Sequence, residues 1–484
     1  MIHGLIQFFR PLSLALQLGL ALFWLAAWPG PAGAAPLVLD GGRKIAAAHE
    51  LRLVLSALSG ERTNVIALQR ELISRAAVPP EQGGAGEEEK ARWIETWLAA
   101  RGIPFERLDL PDERVPSKVR PNLVVVYPTR NAEPGEPTLW LFSHLDVAAA
   151  GPRELWNGDP FALRVEGNIL RGRGVEDNNQ AIVSSLLLLE SLHKTGATPP
   201  RRLGLVLTSA ALTDYSGIKN VLAKKPDLVG PGDFAVVLDY GNPAGSLVSV
   251  GEKGNLWLKI TVTGKSGHAG RPNLANNPFA AGAALAAALP ELERRFAQEN
   301  PLFSPPRTTI IPTRTENFST GINHIPEKFV FYIDARVTEA YSFEEVENAL
   351  REQAAGVEKA HGVSIAFERI DATPSTRFTP RSAPVLVALD RAIRAELGVE
   401  PEYKGAGSVT VAGVLREKGL HVAVWGVQET MHNRPEEYAL ISAHIKQAQV
   451  LARMLFDTPS VQSANRSDPG EKTGKRTDAK KDDG

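Results

Sequence analysis

Short, continuous apolar runs alternate with stretches of helical spacing along most of the chain. The runs NLVVVYP, TLWLFSHLD, RRLGLVLTSA, DFAVVLDY and HVAVWGV read as strands buried on both faces. Between or around them, TNVIALQRELISRAAV, EEEKARWIETWLAARG (ended by Gly102), AIVSSLLLLESLH, GIKNVLAKK, APVLVALDRAIRAELG and SVTVAGVLREKG carry the helical period. Strands that alternate with helices predict an α/β fold, a mostly parallel doubly wound sheet covered on both faces.

A middle segment breaks this rhythm. NLWLKITVTGK alternates polar and apolar residues, as a strand with one buried face does, and NPFAAGAALAAALPELERRF is an Ala-rich helix. TTIIPTRTE and KFVFYIDARVT follow as strands, SFEEVENALREQAAGV as a helix and VSIAFERI as a last strand. The order β-α-β-β-α-β is the ferredoxin-like arrangement, an α+β unit inserted into the larger domain. The division expected is a catalytic domain in two parts, 36–250 and 371–457, with an inserted lid and dimerisation domain at 251–370.

The two ends follow neither pattern. Arg10 precedes LSLALQLGLALFWLAAW and then the small residues PAGAAP, the order of an export signal over 1–35, with cleavage expected after Ala34. The apolar run is about 17 residues, short of the ~20 a membrane span needs. From Thr458 to Gly484 the chain has one Val and is otherwise polar, charged, Gly or Pro, which predicts a disordered tail. The expected location is periplasmic or secreted, with no membrane anchor after signal cleavage.

Composition narrows the chemistry. The 484 residues are 43% apolar and 23% charged, enough for two domains with real cores. A formal charge of −1 gives no reason to expect nucleic acid or an anionic membrane as a partner. With no cysteine, disulfides, thiolate nucleophiles and Cys-rich metal knuckles are excluded. What remains is imidazole and carboxylate. SHLDVAAAG brings His144 and Asp146 to the end of a buried strand, and GRGVEDNNQ puts Asp177 at a Gly-punctuated turn before a helix. Carboxyl ends of strands are where open α/β sheets keep their sites, and these side chains suit zinc. Each has a plain structural alternative: a lone His as a hydrogen-bonded core group, Asp177 as a helix cap, and Asp239, at the end of the run DFAVVLDY, as a turn or cap residue.

SHLDVAAAG followed by LWNGDPFALRVEGNILRGRGVEDNNQ resembles the signature of the co-catalytic zinc aminoacylase and carboxypeptidase-like peptidases. That family includes succinyl-diaminopimelate desuccinylase, glutamate carboxypeptidase and dipeptidases acting on aminoacyl-histidine. The likeness runs from about Thr63 to Phe456. It implies two zinc ions sharing a bridging aspartate. His144 would bind one metal, Asp177 would bridge, Asp239 would complete the first shell, and His432 in ETMHNRPEEY would serve the second. Asp146 would orient His144 from behind. One extra residue separates His432 from Pro435 compared with the family's usual run. His268 in GKSGHAGRP matches a histidine that reaches a neighbouring subunit's site and stabilises the oxyanion, which implies a homodimer through the inserted domain. Asn323 in GINHIP and Arg336 in IDAR match positions near the substrate, a small peptide or N-acyl amino acid; for Arg336 a surface salt bridge is the alternative. His324, His361 and His421 match nothing and read as structural.

The family also carries two adjacent glutamates after the strand RRLGLVLTSA, a general base and a ligand of the second zinc. This chain reads SAALTDYSGIKN. Anchored on Thr213, the positions are Ala211 and Leu212; anchored on Gly217, they are Ala210 and Ala211. Neither supplies a carboxylate. Asp214 is two or three residues further on and shorter, so a strand rise of ~3.3 Å per residue misplaces it. Asn178 and Asn179 also stand where a basic residue is common. The expectation is a metallohydrolase with impaired or altered chemistry, holding one tight zinc per chain, with two as the alternative. The alternative is a non-catalytic binding relative.

Overall fold

The computed structural model describes residues 37–129, 136–316 and 321–457. The expected leader (1–35) and tail (458–484) lie outside the described residues. The chain divides into two units after Ala46: the first holds the opening turns of the helix Leu37–Ser59, and the second holds every described strand and every candidate site residue. Among the described residues, no helix is long and apolar enough to cross a membrane.

TLWLFSH forms the strand Thr138–His144 with every residue buried, as its unbroken apolar run requires of a central strand. It lies fourth in an eight-stranded sheet. The order is Phe105–Arg107, Leu123–Tyr127, Arg202–Thr208, Thr138–His144, Phe234–Val237, Val422–Trp425, Leu247–Glu252, Glu402–Ala406. Neighbours are parallel from Arg202–Thr208 through Val422–Trp425, and antiparallel pairs flank that centre. Gly204 faces Trp140 across the parallel ladder, where a Cβ would sit 2.2 Å from the indole. The helix Asn179–Thr195 is buried from Asn179 to Leu192 and ends at Gly196, whose φ of 66° suits glycine.

The inserted unit has its own sheet and core. Its four antiparallel strands run Thr309–Glu316, Lys328–Val337, Gly254–Thr263, Ser364–Thr373, which realises the β-α-β-β-α-β order. Leu256, Leu258, Ile260 and Val262 alternate inward onto the helices Pro278–Glu293 and Phe343–His361. The second helix starts with a capping box between Ser342 and Glu345. The opposite face of the sheet, bearing Asn255 and Trp257, looks toward the metal-ligand candidates.

Three strands of the large sheet escape the pattern reading. Phe105–Arg107 is three residues long, and LVSVGE and EYKGA each carry a glycine and charge inside short strands. Two helices also lie outside it. Leu37–Ser59 contains Gly41 and Gly42, and Ile441–Phe456 buries Ile441, His444, Ala448, Leu451 and Leu455 at helical spacing.

Candidate metal site and its cavity

His144 closes the central strand, and its backbone N–H donates to Asn178 Oδ1 at 3.1 Å. One edge of its ring belongs to Asp146: Nδ1 lies 2.9 Å from the Asp146 carbonyl and 3.3 Å from Oδ1. The other edge is turned outward, with Nε2 3.3 Å from Asp177 Oδ1 and 3.6 Å from Asp239 Oδ1. Asn178 also donates from Nδ2 to Leu238 O and to Asp239 Oδ1 at 3.2 Å, joining both strand ends that carry ligand candidates. His144, Asp177 and Asp239 thus offer ligand atoms all within 4.8 Å of one another.

Charge in this cluster is strongly perturbed. Burial opposes an imidazolium at His144, but hydrogen bonds to Asp146, Asp177 and Asp239 hold its pKa well above the usual value. Burial likewise opposes ionisation of Asp177, yet His144, His432 and Arg173 bring it down to about 2. Burial also opposes a charge on Asp146, but His144 and the Leu212 N–H hold it below the ordinary range. Three acids around one imidazole present the excess negative charge that a divalent cation neutralises.

Two glutamates without a role in the sequence reading fix the geometry. Glu437 accepts the backbone N–H groups of Gly174, Glu176 and Asp177 at 2.9–3.0 Å and the Arg173 guanidinium at 2.8 Å. Glu176 returns the contact, accepting N–H from Met431 at 2.6 Å and from Glu429. The loop bearing Asp177 and the loop bearing His432 are therefore cross-clamped by buried carboxylates. Burial pushes Glu176 up to about 7, against the opposing pull of His432 and those two amides. The signal was their place beside Asp177 and inside PEEY. Lys90, also unremarked, is buried and donates to Leu145 O and Asn179 Oδ1; desolvation brings it down to about 7.

His432 stands apart from the converging three. Its ring is about one-third exposed (32%) and Nε2 is 4.0 Å from Glu176 Oε2. It nevertheless lines the same cavity of about 190 Å³ as His144, Asp177 and Asp239. Ala211, Leu212, Thr213, Asn255, Trp257 and Arg336 line that cavity too. Ala211 and Leu212 are held there by their N–H groups, which donate to Asp146 at 3.3 and 2.8 Å. Ala210 is buried with φ +57° and donates its N–H to Glu87. Behind it, Gly217 brings the next helix against this loop: a Cβ there would sit 2.0 Å from Ser209 O.

The remaining candidates divide. Asp214 is absent from the lining of this cavity; its carboxylate accepts the Ser216 N–H at 3.0 Å at the start of a helix and borders a neighbouring larger cleft. Arg336 reaches the cavity wall, but its guanidinium is engaged by Asp334 through two bonds of 2.6 and 2.8 Å. His268 and Asn323 meet each other instead, Nε2 to Nδ2 at 3.3 Å, on exposed ground of the inserted unit away from this cavity. Asn179 faces Lys90 rather than the ligand cluster. His361 lies at the end of a helix, its carbonyl accepting from Asn276.

Comparison with known proteins settles the lineage. Residues 250–361 match the peptidase dimerisation domain model of the M20 group. An uncharacterized metallohydrolase of Methanocaldococcus jannaschii is 31% identical over 407 residues, covering 81% of this chain and 98% of the relative. The chain belongs to the M20 metallopeptidase family. Succinyl-diaminopimelate desuccinylase of Cereibacter sphaeroides is 27% identical over 376 residues, 77% of this chain and 93% of its own length. Human carnosine dipeptidase 1 has the same fold, with a TM-score of 0.71 at 16% identity over 84% of this chain and 98% of that one. M20 proteins bind a divalent metal. The His144, Asp177 and Asp239 donors suit such an ion in type and convergence.

Proposed function

We propose that this M20 metallohydrolase is an exported zinc amidohydrolase that works with half of a two-metal centre. Its substrate would be a small peptide or an N-acyl amino acid. The observation that carries the reading is one cavity with an unlike lining. His144, Asp177 and Asp239 converge in it, and Ala211 and Leu212 line it too, where the resemblance calls for a base and a ligand. Zinc bound to the three donors would supply Lewis acidity toward an amide carbonyl and toward water.

The chain's own residues do the rest. Asp146 fixes the tautomer and direction of His144, so that Nε2 faces the cavity. Asn178 spans from the His144 amide to Asp239, and the Glu176–Glu437 clamp holds the His432 loop against Asp177. What is lacking is a carboxylate opposite the ligands to take a proton, a contribution worth roughly 10²–10⁴-fold in rate. Asp214 is turned to the helix start and does not supply it. Turnover is therefore slow. His268 and Asn323, which meet on the inserted unit, would serve a partner's site in a homodimer.

The apolar pair Ala211 and Leu212 also favours a second reading, a relative that binds and does not cut. The deciding test is a panel of dipeptides and N-acyl amino acids with the purified mature protein and added zinc. Slow hydrolysis that disappears in His144→Ala and persists in Asp214→Ala supports the enzyme. Binding without any hydrolysis supports the other reading.

A further inference from the structure

The inserted sheet contributes two residues to the lining of this cavity that each carry a buried polar atom without a hydrogen-bond partner. Asn255 is 2% exposed, and a buried side-chain polar atom seldom lacks a partner. Its Nδ2 donates to Asp371 Oδ2 at 2.6 Å, and Thr373 donates to the same carboxylate. A carboxylate accepts and does not donate, so the Asn255 amide cannot be turned over without losing this contact. Its Oδ1 is thereby directed away from Asp371 as a fixed acceptor, and it has no hydrogen-bond partner. Trp257, two residues along on the same face, has an indole Nε1–H that is equally unpartnered. Both residues line the metal-ligand cavity, and Trp257 continues into the adjoining cleft of about 580 Å³. The backbone positions of the two residues are one strand repeat apart, about 7 Å.

We infer that Asn255 is a specificity-determining contact that accepts an N–H of the substrate, with Trp257 Nε1–H donating to a carbonyl further along it. The ligand class is an amide that carries a free amine or a peptide N–H, in preference to analogues lacking that hydrogen. This rests on the cavity being the substrate site, as proposed above. The neighbouring cation adds little competition, because Arg336 is already engaged by Asp334. A site built to bond one N–H rejects its deletion more strongly than an apolar pocket rejects a lost methyl.

The test is calorimetric binding to the zinc-loaded protein, which needs no turnover. The ligands are alanyl-alanine, propionyl-alanine, which lacks the amine, and alanyl-N-methylalanine, which lacks the peptide N–H. One of the two deletions should bind at least about tenfold more weakly than alanyl-alanine. In Asn255→Ala that difference should shrink below about threefold. Asp371→Asn gives a second route: it lets the Asn255 amide turn over and should narrow the difference without emptying the site. Equal binding of all three ligands, no binding of any, or a difference that survives unchanged in Asn255→Ala overturns the inference. Absence of hydrolysis alongside the expected ranking would count against the enzyme reading and leave this one standing.

Discussion

Changing Ala211 and Leu212 together to glutamate should convert the proposed half-site into a complete two-metal centre. The backbone there is already pinned, with both N–H groups on Asp146, and both residues line the cavity. Without metal the change is unfavourable. In a cavity of about 190 Å³ shared with Asp177 and Asp239, new carboxylates come within roughly 6 Å of them, and each like-charge pair costs about 3 kcal/mol at an effective dielectric near 20. The metal-free variant should therefore melt well below wild type. Zinc at about a hundred times its Kd returns close to 3 kcal/mol by linkage. Hydrolysis should rise by roughly 10²-fold or more, the range of a placed general base. Thermal melts with and without zinc, and kcat/KM on a dipeptide, read both effects. The other register, Ala210→Glu with Ala211→Glu, should fold poorly, because Ala210 is buried at φ +57°. A zinc-independent melt with no gain in rate in the Ala211, Leu212 double variant would refute the reasoning.

Three further outcomes are expected. Glu437→Ala strips the acceptor from three backbone amides and leaves Arg173 buried without its partner, so it should lower unfolding free energy by about 3–5 kcal/mol in urea, and Glu437→Gln by less. Burial pushes His444 down to about 4, while the unfolded chain protonates near 6.5, so stability present above pH 6.5 is lost as pH falls toward 4. At about 1.4 kcal/mol per pH unit this removes about 3 kcal/mol, and a His444→Gln variant should show a correspondingly flatter profile between pH 7 and 4.5. Light scattering of the mature protein should give about twice the chain mass, and His268→Ala should reduce turnover without changing that mass; a clean monomer would remove the cross-subunit role of His268.

Much of this fold could be read from the chain because its strongest signals are local. The continuous run TLWLFSH could only be a central strand, and the alternation in NLWLKITVT fixed which face of the inserted sheet is buried. Strands such as LVSVGE lacked that signal, since their burial comes from neighbours far away in sequence. The ligand candidates His144, Asp177 and Asp239 were recognisable through their order and resemblance, and the structure brings their donor atoms together. The clamp of Glu176 and Glu437 was marked only by their places beside Asp177 and inside PEEY, because the partners that give it a role are backbone amides about 250 residues away. Asn255 was hidden for a similar reason: its meaning comes from Asp371, on the adjacent strand but 116 residues on.

The half-site itself is tested most directly by counting metal. Elemental analysis of zinc-loaded protein after dialysis against a weak chelator should find about one ion per chain, lost in His144→Ala. The His144, Asp177 and Asp239 donors suffice for one, while His432 faces the cavity without a glutamate partner at Ala211 or Leu212. Two tightly held ions per chain, or none after loading, would contradict the account.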